Sequence, residues 1–138
     1  MYFSIVGSRR RNGHRDRYVV FSLVDRLIRE NIGRKVTIVS GACPKGADRF
    51  AAEAARAYGL ELMEHPVPNE PPVTSAYDFR KRAFDRNRLV ARDGRDGCYA
   101  LVSDDRTGGT ENTISHARDL GIKIHLNLGS SEIDEWTT

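Results

Sequence analysis

Residues 36–48 read Val36-Thr37-Ile38-Val39-Ser40-Gly41-Ala42-Cys43-Pro44-Lys45-Gly46-Ala47-Asp48, and this order decides the fold. Four successive β-branched residues favour an extended strand, short and apolar enough to be buried on both faces. A glycine-bearing turn follows. An alanine-rich helix then begins after Gly46, with Phe50, Ala54 and Ala57 inward, and stops at Gly59 as a C′ glycine. The same strand–turn–helix order recurs towards both ends of the chain. Residues 2–6 run into Gly7-Ser8-Arg9-Arg10, and residues 98–102 lead to Thr107-Gly108-Gly109-Thr110-Glu111.

The other elements fall between these three units. Asp16 is placed to cap a helix reaching about Asn31, with Val20, Leu23, Val24, Leu27 and Ile28 at 3/4 spacing as its buried stripe. Residues 60–63 form a third strand, and residues 66–76, with four of the five prolines, form a loop. A third helix covers about 78–93, a fourth 110–120, and residues 122–126 make a fifth strand. Strict β-α alternation implies right-handed crossovers. The expected fold is therefore a single Rossmann-like α/β domain over residues 1–128. Its five-stranded parallel sheet has the order 3-2-1-4-5, with helices on both faces. Residues 129–138 form a polar tail, loosely held unless Trp136 docks on the domain or a partner.

The chain has 138 residues, 39% hydrophobic and 30% charged, enough for one domain with its own core. No run approaches the roughly 18 apolar residues of a membrane span, and Met1 opens directly into a strand rather than a signal peptide. Cys43 and Cys98 lack metal-ligand spacing and read as reduced thiols, so a cytoplasmic location without membrane contact is expected. The four histidines match no metal motif, and neither a metal nor a cofactor is expected. Net charge is +3, and 18 of the 22 basic residues are arginine, whose planar fork suits phosphate and carboxylate. Arg80, Lys81, Arg82, Arg86, Arg88 and Arg92 crowd the third helix as a candidate face for single-stranded nucleic acid, although Asp78, Asp85 and Asp93 interrupt it.

In an open parallel sheet the carboxyl ends of the strands face one crevice, so the three turns can converge on one ligand. Glycine lets backbone approach closely, and free N–H groups at helix N-termini favour an anion. The expected ligand is a nucleotide or a nucleotide-derived phosphate compound. Gly41 to Gly46 matches half of a P-loop, but Ala47-Asp48 stands where Lys-Ser/Thr is required, which argues against NTP hydrolysis. Gly7-Ser8-Arg9 does not continue into the dinucleotide fingerprint. The cradle would comprise Gly7, Ser8, Arg9, Ser40, Gly41, Gly46, Gly108, Gly109 and Thr110, with Thr110 also capping the fourth helix. Asp48 either serves the helix dipole, accepts from a ribose or base, or braces the first glycine loop. Asn87 lies on the inward stripe Phe79, Ala83, Asn87, Val90, where a buried amide needs partners. It ties down a glycine loop or reaches the ligand. Glu111 is either a helix-end charge or a general acid.

Ser40-Gly41-Ala42 with Gly46-Ala47-Asp48, then Arg86-Asn87, then Gly109-Thr110, resemble the SLOG superfamily, in its YspA/YpsA-related branch. That superfamily also holds the LONELY GUY phosphoribohydrolases, molybdenum cofactor carrier proteins and the Rossmann-like part of DNA-processing protein A. The resemblance spans roughly residues 3–125 and implies a nucleotide-type ligand, with a homodimer as a candidate assembly. It also implies an alternative activity, cleavage of the N-glycosidic bond of a nucleoside monophosphate, with Arg86 and Glu111 as candidate catalytic residues. In the hydrolase pattern the glutamate stands three residues after the threonine, where this chain has Thr113.

Overall fold

Alternation along the strands sorts the core into two layers. In β1 (Tyr2–Gly7) and β4 (Cys98–Val102), Phe3, Ile5, Tyr99 and Leu101 point to one face and Val6, Cys98, Ala100 and Val102 to the other. The first face packs against α1 (His14–Glu30) and α2 (Ala47–Ala57) through Val20, Leu23, Leu27, Phe50 and Ala54. The second packs against α3 (Ala76–Asp93) and α4 (Gly109–Asp119) through Val90, Ala91, Ile114 and Ala117. With β2 (Thr37–Ser40), β3 (Glu61–Glu64) and β5 (Ile124–Leu128), the computed structural model has an all-parallel sheet in the order β3-β2-β1-β4-β5. It describes residues 1–129 and 135–138. Among them no helix is long and apolar enough to cross a membrane.

β1 is central, so the turns after β1, β2 and β4 emerge side by side at one edge. The expected order of strands is the observed one, with element boundaries shifted by a residue or two. Two shifts matter. α1 begins at His14 with Gly13 as its cap, so Asp16 is the third helical residue. Its carboxylate accepts the Gly13 N–H at 3.2 Å instead of capping from outside. α4 begins at Gly109 behind the cap Gly108 at φ +101°, a conformation that favours glycine. Thr110 is therefore inside the helix and not its cap.

The inward stripe of α3 holds only in its second half, where Asn87, Val90 and Ala91 are buried, while Phe79 is exposed. Ala57 of α2 is likewise exposed. At the carboxyl end, Thr137 exchanges backbone hydrogen bonds with Leu126 at 2.7 and 2.9 Å, and Trp136 meets Tyr99 edge-on at 5.3 Å. Trp136 thus docks on the domain. The rest of the expected loose tail, residues 130–134, lies outside the described residues.

Candidate functional site

Close backbone approach builds the site. A Cβ on Gly7 would stand 2.7 Å from the Ala47 Cβ and 3.1 Å from Leu101, so the bare glycine lets the start of α2 press on the end of β1. Gly46, at φ +75°, donates its N–H to Asn12 Oδ1 at 2.7 Å, and a Cβ there would meet the Ser8 carbonyl at 3.0 Å. The first two turns are thereby locked together. Between them, α3 and the β4–α4 turn lies a cleft of about 330 Å³, at the lower end of the range for small-molecule sites.

The second turn is held from within. Ser40 Oγ accepts the Ala42 N–H at 3.3 Å, Ala42 adopts the left-handed conformation at φ +59°, and the Cys43 N–H donates to Asp48 Oδ2 at 3.0 Å. Asp48 is 8% exposed, and burial pushes its carboxyl up to about 6. The Cys43 N–H, the Arg86 charge and the Gly41 N–H oppose that rise, and Glu64 adds to it. Asp48 thus braces the second glycine loop, not the first.

Arg86 Nη1 donates to the Gly41 carbonyl and, at 3.2 Å, to that of His65, while its Nε donates to Asn87 Oδ1 at 3.0 Å. Burial presses the Arg86 pKa down, against the pull of Asp48. Because the folded-state pKa of Asp48 is raised, its contribution to stability is fully present below about 4 and is lost as pH rises through about 6. Denaturant unfolding is expected to lose stability between about pH 4 and about pH 6, and Asp48→Asn is expected to flatten that slope. An unchanged slope in the variant would assign the pH dependence to other groups.

The third turn is fastened by Asn87, which is buried as its place on the stripe requires. Its Nδ2 donates to the Gly109 carbonyl at 3.3 Å and to Asn112 Oδ1 at 3.2 Å. Glu111 is held in a two-pronged pair with Arg106, at 2.8 and 2.9 Å, and does not line the cleft. Thr113 does line it, with its hydroxyl donating to the Gly109 carbonyl at 3.4 Å.

Three successive arginines have three fates. Arg10 makes a two-pronged pair with Asp105 at 2.8 Å and also reaches Ser103 and Thr107, pinning the β4–α4 turn; the bonds that Arg10, Thr107 and Ser103 donate to Asp105 hold its carboxyl well below the usual range. Arg11 is buried against Asp16, the Val102 carbonyl, and the carbonyl and amide of Asn127. Arg9 lines the cleft, is exposed, and has no hydrogen bond or ion pair among the described residues. The backbone N–H groups of Gly108, Gly109 and Thr110, which line the same cleft, have no acceptor among the described residues, as expected at the first turn of α4. The Thr110 hydroxyl has no hydrogen-bond partner among the described residues either, and the residue is 9% exposed. One cation, three aligned donors and a hydroxyl can together take a phosphate-sized anion.

Of the expected site residues, Gly7, Ser8, Arg9, Gly41, Asp48, Arg86, Asn87, Gly108, Gly109 and Thr110 line one cleft. Ser40 and Gly46 do not; they shape the loops from behind. Glu111 also stands apart. Cys43, Phe84, Arg10 and Thr107 line the cleft without having been singled out. Cys43 and Thr107 lie within the quoted turns, whereas Phe84 sits beside the stripe of α3, where periodicity carries no signal. On α3, Arg82 is bound to Asp78 and to the Pro68 and Pro71 carbonyls, and Arg92 to Asp93. With Arg86 also engaged, half of the six basic residues of that helix have internal partners. No known protein family, characterised protein or solved structure matches the chain.

Proposed function

We propose that the cleft binds a nucleotide or a nucleotide-derived phosphate compound at the carboxyl ends of β1, β2 and β4, with the phosphate between Arg9 and the first turn of α4. One observation carries this reading. Arg9, the Gly108–Thr110 N–H groups and the Thr110 hydroxyl have no hydrogen-bond partner among the described residues, and all four residues line one cleft. A cation, N–H groups at a helix start and a hydroxyl lining one cleft favour an anionic ligand. The resemblance of the Gly-Ala-Asp, Arg-Asn and Gly-Thr elements to the SLOG superfamily supports the same reading.

Glycosidic hydrolysis is not part of the proposal. The position that faces the cleft three residues after Thr110 is Thr113, and the nearby carboxylate, Glu111, is clamped by Arg106 outside it. Thr110→Val keeps the side-chain shape and removes the hydroxyl. It is expected to weaken binding of both AMP and inorganic phosphate roughly tenfold, as loss of a hydrogen bond to a charged group does. Glu111→Gln is expected to leave both affinities unchanged, with no release of adenine from AMP by either protein. Release of adenine by the wild type, abolished in Glu111→Gln, would restore the hydrolase. Binding of oligonucleotides with a steep salt dependence, and no binding of AMP, would favour the arginines of α3 as a nucleic-acid face.

A further inference from the structure

The cleft is lined by polar residues of the three turns and by both polar and apolar residues of α3. On the wall supplied by α3, Asn87 and two of the three guanidinium nitrogens of Arg86 already have partners among the described residues. Arg86 is spent on two backbone carbonyls and on Asn87, and Asn87 on the Gly109 carbonyl and Asn112. Beyond the Arg86 Nη2, α3 offers a ligand carbon surface, from Ala83 and Phe84. Phe84 is 42% exposed although it lines a concave site. Several large apolar residues of α3 are exposed, but Tyr77, Phe79 and Leu89 do not line this cleft, whereas Phe84 does. An aromatic ring open to a cleft that Arg9 and the first turn of α4 also line suits a ligand that is charged at one end and flat and apolar at the other.

We propose that Phe84 is the platform on which the planar base of the ligand stacks while its phosphate is held by Arg9 and the first turn of α4. This rests on the nucleotide reading above and adds how the base is held. Ala83 and Phe84 carry no side-chain donor or acceptor, so this contact follows ring area rather than the pattern of the base edge. Stacking of a base on an aromatic side chain accounts for roughly tenfold or more in affinity and tolerates different bases.

The test compares AMP with ribose 5-phosphate, which carries the same phosphate and sugar without the base. Wild-type protein is expected to bind AMP more tightly. Phe84→Ala is expected to weaken AMP roughly tenfold and to leave ribose 5-phosphate unchanged. Phe84→Trp is expected to restore AMP affinity, with emission of the new indole quenched by AMP and not by ribose 5-phosphate, read against the Trp136 background. Equal wild-type affinities for the two probes would overturn the stacking platform and leave the phosphate site standing. So would an equal loss of both probes in Phe84→Ala. Failure of the wild type to bind either probe would overturn the nucleotide reading, and the platform with it.

Discussion

Arg11→Met is expected to destabilise the domain by about 3–5 kcal/mol, the cost of removing one partner from a buried ion pair. The variant leaves Asp16 without its cation and takes donors from the Asn127 carbonyl and amide oxygens and the Val102 carbonyl, all in a region where Arg11 itself is 8% exposed. Methionine fills much of the stem volume, so lost polar contacts rather than an empty cavity dominate. A melting temperature lower by roughly 10 °C or more would be the visible result. Arg10→Ala provides the contrast. Its pair with Asp105 is half exposed on both sides, and such pairs contribute about 1 kcal/mol or less. Equal melting temperatures for Arg11→Met and wild type would show that the end of β1 is not anchored through this guanidinium.

Arg9→Ala is expected to have the opposite profile. Arg9 has no partner to lose among the described residues, so the melting temperature should stay within a degree or so of wild type. Affinity for AMP should fall roughly 10- to 100-fold, because a charge-assisted contact to phosphate disappears. A melt of each variant and one titration of Arg9→Ala therefore separate two adjacent residues of the same type. A destabilised Arg9→Ala, or one that binds AMP as tightly as wild type, would remove Arg9 from the site.

These neighbours show where sequence reading stops. The strand–turn–helix units and the order of the strands were legible, because β-branched runs and 3/4 spacing are local signals. Asn87 was legible too, as a polar residue on an apolar stripe whose amide needed partners. Arg9, Arg10 and Arg11 were indistinguishable, since their fates depend on Asp105, Asn127 and Val102, far along the chain and brought close only by the pairing of β1, β4 and β5. A single-residue shift at the start of α4 changed Thr110 from an expected cap into a free hydroxyl over the cleft. Asp48 was correctly placed in the first turn of α2 but braces the second glycine loop, a choice set by the left-handed turn at Ala42, where alanine gives no sequence signal. Phe79, expected on the inward stripe, is exposed. The first turns of α3 bury little, so the stripe there predicts nothing about packing.

The proposed phosphate site between Arg9 and the first turn of α4 is tested most directly by the backbone amide resonances of the glycines and their neighbours as AMP is titrated in. Saturable shifts are expected at Gly7, Ser8, Arg9, Gly108, Gly109 and Thr110. Gly33, Gly59 and Gly121, which follow the carboxyl ends of α1, α2 and α4 at the opposite edge of the sheet, are expected to stay still and serve as internal controls. Absence of any saturable shift, or shifts at the control glycines without movement of Gly108 to Thr110, would contradict a phosphate site at the carboxyl ends of β1, β2 and β4.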